Sequence, residues 1–169
     1  MIENKQSSPE LTYVGFLGEE YKVVPKLNMY ANNNNLYVGL DYYDSEYECW
    51  VPFCDITVNV QNLPFLESAI DTNNNGAGVL KFLLDNGFGV LTDKVQFSGY
   101  CAFPVFCFNK EKLKEIDPEM FAEYEKAAGH RGLGRKSLDA SIEAAKRETH
   151  SSSDAKVSVK DDRSFDSAR

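Results

Sequence analysis

The chain has 169 residues, 43% apolar and 12% aromatic, which is material for one domain with a core of ordinary density. No run of 18 or more apolar residues occurs, and the start, MIENKQSSPE, is polar where a signal peptide needs a basic stretch followed by an apolar one, so neither a membrane helix nor secretion is expected and the cytoplasm is the expected location. Residues 1–109 carry 13 acidic and 5 basic side chains, net −8, whereas residues 110–169 carry 13 of each; the first part therefore lacks the basic footprint of a nucleic-acid-binding core.

Residues 1–10 read as a flexible N-terminus. Leu11–Leu17 and Tyr21–Val24 are strand candidates around a Gly18-Glu19-Glu20 turn, with Pro25 suited to an edge or a strand end. Lys26–Tyr30 resumes the strand, and Asn32–Asn35 turn the chain, asparagine being tolerant of left-handed dihedrals. Leu36, Val38, Leu40 and Tyr42 then alternate with Tyr37, Gly39 and Asp41, the period of a strand with one buried face. After a Tyr43-Asp44-Ser45-Glu46 turn, Tyr47–Val60 brings the chain back, its pattern slipping at Pro52 as two short strands or one with a bulge.

Leu63–Ile70 reads as a connector or a single helical turn. Beyond the Asn73-Asn74-Asn75-Gly76 loop, Val79, Leu80, Leu83 and Leu84 share one helical face with Phe82 beside it. An asparagine is available to cap the start of this helix and Gly87 to stop it. Val95–Phe108 is the most hydrophobic strand, broken at Gly99 and Pro104 and apolar on both faces, as expected of a strand covered on both sides. Lys110–Ala128 is a second helix that Pro118 splits, Asp117 capping the second half. Residues 129–169 hold one aromatic, Phe165, and are rich in Ser, Asp, Lys and Arg, so a disordered polar tail is expected. Within it, 137–148 can form a short helix with Leu138 and Ile142 on one side, of a length marginal on its own, so it reads either as a transient helix with no partner or as one that folds on a partner.

The chemistry available is narrow. Both histidines, His130 and His150, lie in the tail, which removes Ser-His-Asp and Cys-His nucleophiles and His-containing metal sites from the domain. The spacings around Cys49, Cys54, Cys101 and Cys107 are not those of a zinc site, and the four are expected to be reduced, buried, small hydrophobes. No phosphate-binding glycine motif is present, Gly76-x-Gly78 being a helix entry. Asp41, Asp44, Glu46 and Glu48 gather at one hairpin turn, where two could form an acid–base pair or a Mg²⁺ site, but such a cluster reads first as a solvated rim. Tyr37, Tyr43 and Tyr47 beside these acids suit a protein interface, because tyrosine offers contact area at low entropic cost.

At D-T-N (Asp71–Asn73), L-x-x-N-G (Leu83–Gly87), Thr92 and S-G-Y-C-x-F-P-x-x-x-F (Ser98–Phe108), the chain resembles a small domain of unknown function carried by plasmids, conjugative elements and phages of gut bacteria, over roughly residues 13–113. The tail motif S-L-D-x-x-I-x-x-A at Ser137–Ala145 is similar to C-terminal appendages of other mobile-element proteins. No catalytic residue is implied by the resemblance, and the Asn-Asn-Asn stretch before Gly76 departs from it.

The combined reading is an α+β domain over 11–128, an antiparallel sheet of about five or six strands packed by two helices, followed by the tail. Its expected role is that of a non-enzymatic accessory protein of a mobile element, without cofactor or metal, which binds an unidentified protein through Tyr37, Tyr43, Asp44, Glu46 and Tyr47 or through Leu138 and Ile142 of the tail. The alternative is an acidic DNA mimic that inhibits a restriction or CRISPR nuclease.

Overall fold

The computed structural model describes residues 8–129. The expected helix at 137–148, with Leu138 and Ile142, and the rest of the tail beyond Gly129 lie outside the described residues, as do 1–7. The class is α+β. Strands β1 (Leu11–Val14), β2 (Glu20–Met29), β3 (Leu36–Asp44) and β4 (Cys49–Asp55) form an antiparallel meander in the order β1-β2-β3-β4. A second four-stranded antiparallel sheet contains β5 (Thr57–Val58), β6 (Glu67–Ile70), β7 (Gly89–Ser98) and β8 (Cys101–Phe108) in the order β5-β6-β8-β7. Helices α1 (Thr72–Asn75) and α2 (Gly78–Asp85) connect β6 to β7, and α3 (Lys110–Ile116) and α4 (Pro118–Gly129) follow β8.

The strands divide between two sheets at Ile56. This fully buried residue donates its N–H to the carbonyl of Val38 in the first sheet at 3.0 Å and accepts from the N–H of Asp71, just after β6, at 2.9 Å. The hinge satisfies both of its backbone groups, as burial requires. Val23, Leu27, Leu36, Val38 and Leu40 are the buried row of the first sheet, and α3 and α4 both lie against β2. Phe106 and Phe108 of β8 pack edge to face with centroids 5.1 Å apart. A smaller cluster of Leu63, Ala69, Phe103 and Val105 is flanked by Val58 and Val60.

Several elements follow directly from their residues. Asp117 is extended and its Oδ1 accepts from Met120 N at 2.9 Å, so Pro118 opens α4 as a capped first helical position. Asn109 caps α3 in the same way, accepting from Glu111 N and Lys112 N. In α2 the buried stripe is Val79, Phe82 and Leu83, at i, i+3, i+4, rather than the four aliphatics read from the sequence; Leu84 is exposed. No asparagine caps α2: Ala77 precedes it, and Asp71 instead caps α1 by accepting from Asn74 N at 3.0 Å. Ser8 is tied down, its hydroxyl donating to the Ile116 carbonyl at 2.9 Å.

Leu63–Ile70 holds a strand where the sequence suggests a connector. All four β6 residues are buried, and two are polar, so no alternation marks them. Each polar group is matched: Ser68 Oγ donates to the Leu36 carbonyl at 3.1 Å, and the Glu67 carboxylate receives Lys94 Nζ at 2.9 and 3.0 Å. The break at Gly99 is a hairpin turn, with φ of 58° at Gly99, and the hydrophobic stretch around it is two strands, β7 starting as early as Gly89.

Edges are short or interrupted. β1 has four residues and β5 two; β4 carries Pro52. In β7 the register to β8 shifts between Leu91 and Val95, Thr92 Oγ1 donating to the Val105 carbonyl at 2.7 Å and Lys94 N donating to Thr92 Oγ1 at 3.2 Å. Pro25, inside β2, is tolerated because β1 pairs no further than Val23 and leaves no ladder bond there to lose.

One buried corner depends on a single hydroxyl. Leu66 is buried with φ of 70°, a left-handed conformation costly for a leucine. It is held by Tyr124 Oη of α4, which accepts from Leu66 N at 2.8 Å, and by Phe108 N, which donates to the Leu66 carbonyl at 2.8 Å. The Tyr124 ring stacks on Phe65 with centroids 5.2 Å apart. Tyr124→Phe keeps the stack and strands the Leu66 N–H, so urea unfolding is expected to show a loss of about 1–3 kcal/mol.

Candidate functional site

The outward row of β3 is Tyr37, Gly39, Asp41 and Tyr43, between the inward Leu36, Val38 and Leu40. It reads as two separate arrangements, because Tyr37 and Tyr43 lie six residues, or roughly 20 Å, apart along the strand.

At the Tyr37 end, the tyrosine ring lies over Gly39, where a methyl group would run into the phenol oxygen. Tyr37 Oη donates to Asp55 Oδ1 at 2.6 Å, on the β4 residue paired with Gly39. Burial, then this bond and the negative charge of Asp55, push the Tyr37 hydroxyl above its ordinary range. A tyrosine fixed in its protonated form is a donor rather than a base. Tyr30 stands edge-on to Tyr37 at 5.6 Å with its hydroxyl donating to the Thr57 carbonyl at 2.9 Å. Lys26, Asn28, Met29, Ala31 and the two tyrosines line an open groove here. Lys26 Nζ is 3.7 Å from Asp41.

At the other end, β3 and β4 meet in the turn that holds the acidic cluster. Asp44 Oδ1 accepts from Glu46 N at 2.9 Å and Tyr47 N at 3.3 Å, and Glu48 takes the left-handed φ of 53° that closes the turn. Asp44 is therefore a turn-forming residue as well as a surface charge. Tyr43 pairs directly across the strands with Trp50, their rings edge to face at 5.4 Å. Both are about half exposed, at 47% and 49%, and Tyr47 is 72% exposed. The meander places the β1–β2 turn at this same end of the sheet, and its Phe16 and Leu17 are also exposed.

The structure thus brings Tyr43, Asp44, Glu46 and Tyr47 together at one tip and leaves Tyr37 at the far end, committed to Asp55. Trp50, Phe16 and Leu17 are additions to that tip. Trp50 sits in an apolar run that reads as core, and only the Tyr43–Trp50 register shows it facing outward. Phe16 and Leu17 leave the strand because the turn begins at Gly15, whose N–H donates to the Glu19 carbonyl at 2.8 Å. The asparagines before Gly76 are structural: Asn73 Nδ2 donates to the Ala102 carbonyl, and Asn75 Nδ2 to the Asp55 carbonyl.

All four cysteines are free, and they are less buried than the sequence suggests: Cys49 and Cys101 are exposed, Cys54 and Cys107 half-buried. Burial, with the neighbouring Asp55 and Asp71, pushes the Cys54 thiol up to about 12. Between the ordinary thiol value near 9 and about 12, the unfolded chain gives up this proton while the folded one keeps it, so stability falls as pH rises through that window. A thiol-reactive dye at pH 8 is expected to label Cys49 and Cys101 of the native protein rapidly, and Cys54 and Cys107 only on denaturation, as peptide mapping would show.

Among the described residues no group of three or more His, Cys, Asp or Glu is placed to hold a metal, and no helix is long and apolar enough to cross a membrane. The family described as a domain of unknown function (DUF4313) matches residues 25–128, from the middle of β2 to near the end of α4. No curated protein and no solved structure matches the chain.

Proposed function

The chain belongs to the family described as a domain of unknown function (DUF4313), and we propose that it is a non-enzymatic accessory protein of a bacterial mobile element, acting in the cytoplasm by binding another protein through the tip formed by the β1–β2 and β3–β4 turns. The observation that carries the reading is the Tyr43–Trp50 pair, solvent-exposed and flanked by Tyr47, on a rigid two-stranded register. Exposed tyrosine and tryptophan are the residues that dominate binding energy at protein interfaces. The mobile-element setting rests on the motif resemblance at Asp71–Asn73, Leu83–Gly87 and Ser98–Phe108.

A DNA-mimicking inhibitor is the second reading and has less behind it. A mimic needs carboxylates spaced like phosphates, whereas Asp71 is turned inward to cap α1, Glu67 holds Lys94, Asp85 holds Lys81 and Glu125 holds Lys110. Affinity capture from host lysate tests the first reading. Wild-type protein is expected to retain a partner that the Tyr43→Ser, Tyr47→Ser, Trp50→Ser triple variant loses while keeping its circular dichroism; retention of the same partner by both would remove the tip from consideration.

A further inference from the structure

The tip carries a charge pattern that narrows what it can hold. Glu19 and Glu20 lie in and beside the β1–β2 turn, and Asp44, Glu46 and Glu48 in and beside the β3–β4 turn, with Lys22 the nearest cation along β2. Among the described residues the Glu20, Glu46 and Glu48 carboxylates make neither a hydrogen bond nor an ion pair. The same end of the sheet carries exposed aromatic surface on the Tyr43–Trp50 pair, Tyr47 and Phe16, and Lys22, next along β2 from the Val23–Tyr42 pair, donates to Thr12 Oγ1 at 3.1 Å.

Resting on the reading of this tip as the binding surface, we propose that its occupant is an arginine-bearing basic segment of a partner protein, laid across the Tyr43–Trp50 pair with its cations on the carboxylates of the two turns. A guanidinium lies flat on an aromatic face while its fork bonds a carboxylate bidentately in its own plane, a geometry that the point charge of a lysine ammonium matches less well. An entirely apolar occupant would strip water from the rim carboxylates and return no cation. An acidic protein or a nucleic acid meets a field of its own sign. The occupant crosses the face rather than adding a strand to β4, because Pro52 interrupts the donors along that edge.

Trp50 is the single tryptophan of the chain and lies within the proposed contact, so its emission reports occupancy without a label. The full chain is titrated with three synthetic peptides of equal length, in which leucine alternates with arginine, lysine or glutamine. The arginine peptide is expected to shift Trp50 emission saturably, more tightly than the lysine peptide and with affinity falling as salt rises, and the glutamine peptide not to bind. The Glu20→Gln, Glu46→Gln, Glu48→Gln variant, which keeps Asp44 and its turn, is expected to bind the arginine peptide roughly tenfold more weakly. Equal binding of the arginine and glutamine peptides, no saturable shift, or unchanged affinity in the glutamine variant overturns the proposal. So does a shift of Trp50 emission, with no peptide added, on replacing Arg131, Arg135 and Lys136 by serine, since the occupant would then be this chain's own C-terminal segment. In the capture experiment, a partner lost with the aromatic triple variant but kept by the glutamine variant leaves protein binding at the tip standing and removes only the basic partner.

Discussion

Gly89→Ala is expected to destabilise the protein by about 4 kcal/mol. Gly89 opens β7 with φ of 151°, a region that essentially only glycine occupies, and it pairs with Phe108 at the start of the β7–β8 ladder. A methyl group there would overlap the Cys107 carbonyl oxygen and stand 2.9 Å from Phe108 Cα. Both obstacles are backbone of β8, the interior strand between β6 and β7, so neither can swing aside as a side chain could. Gly87 provides the control. It also has a positive φ, 69°, but a methyl group at that position meets open space, so Gly87→Ala should cost only the conformational term, about 1 kcal/mol. Urea unfolding followed by Trp50 fluorescence would compare them; equal losses would mean that close approach of the two strands contributes nothing.

Phe88→Ala is expected to cost about 3–5 kcal/mol. Phe88 is fully buried one residue after the helix stop. Its backbone ties two helices together: its N–H donates to the Leu83 carbonyl of α2 at 2.9 Å, and its carbonyl accepts from Asn109 N, the cap of α3, at 2.7 Å. Its ring packs on Phe82 at 5.8 Å, with Lys112 Nζ 5.8 Å from the ring centroid. Because that backbone is pinned at both ends, the site cannot collapse around an alanine, which places the loss in the upper half of the range for such substitutions. Thermal unfolding by circular dichroism would show it as a large drop in Tm, while Phe88→Leu, which keeps most of the volume, should fall much less.

What could be read from the sequence was what local chemistry decides. Asp117-Pro118 marks a capped helix start in any context, and the alternation from Leu36 to Tyr42 fixes which side of β3 is buried. What could not be read depends on partners distant in sequence. Glu67–Ile70 shows no strand pattern because both of its faces are covered and its polar members are satisfied by Leu36 and Lys94. The exposed Trp50 has the composition of core, and only its pairing with Tyr43 turns it outward. Tyr37 and Tyr43 look equivalent along the sequence; the glycine between them lets the first lie down onto Asp55 while the second stands free beside Trp50.

The edges of the two sheets bear on how this protein behaves among many copies of itself. Aggregation by strand addition needs an uninterrupted run of free donors and acceptors. β1 and β5 are too short to offer one, Pro52 removes a donor from β4, and in β7, the longest edge, the Thr92–Lys94 bulge breaks the run and places two charged residues, Asp93 and the Glu67-bound Lys94, near its centre. With its edges so finished, the chain can expose apolar side chains, Val90, Val95 and Phe97 of β7 among them, and still offer a neighbouring copy no continuous backbone ladder to extend.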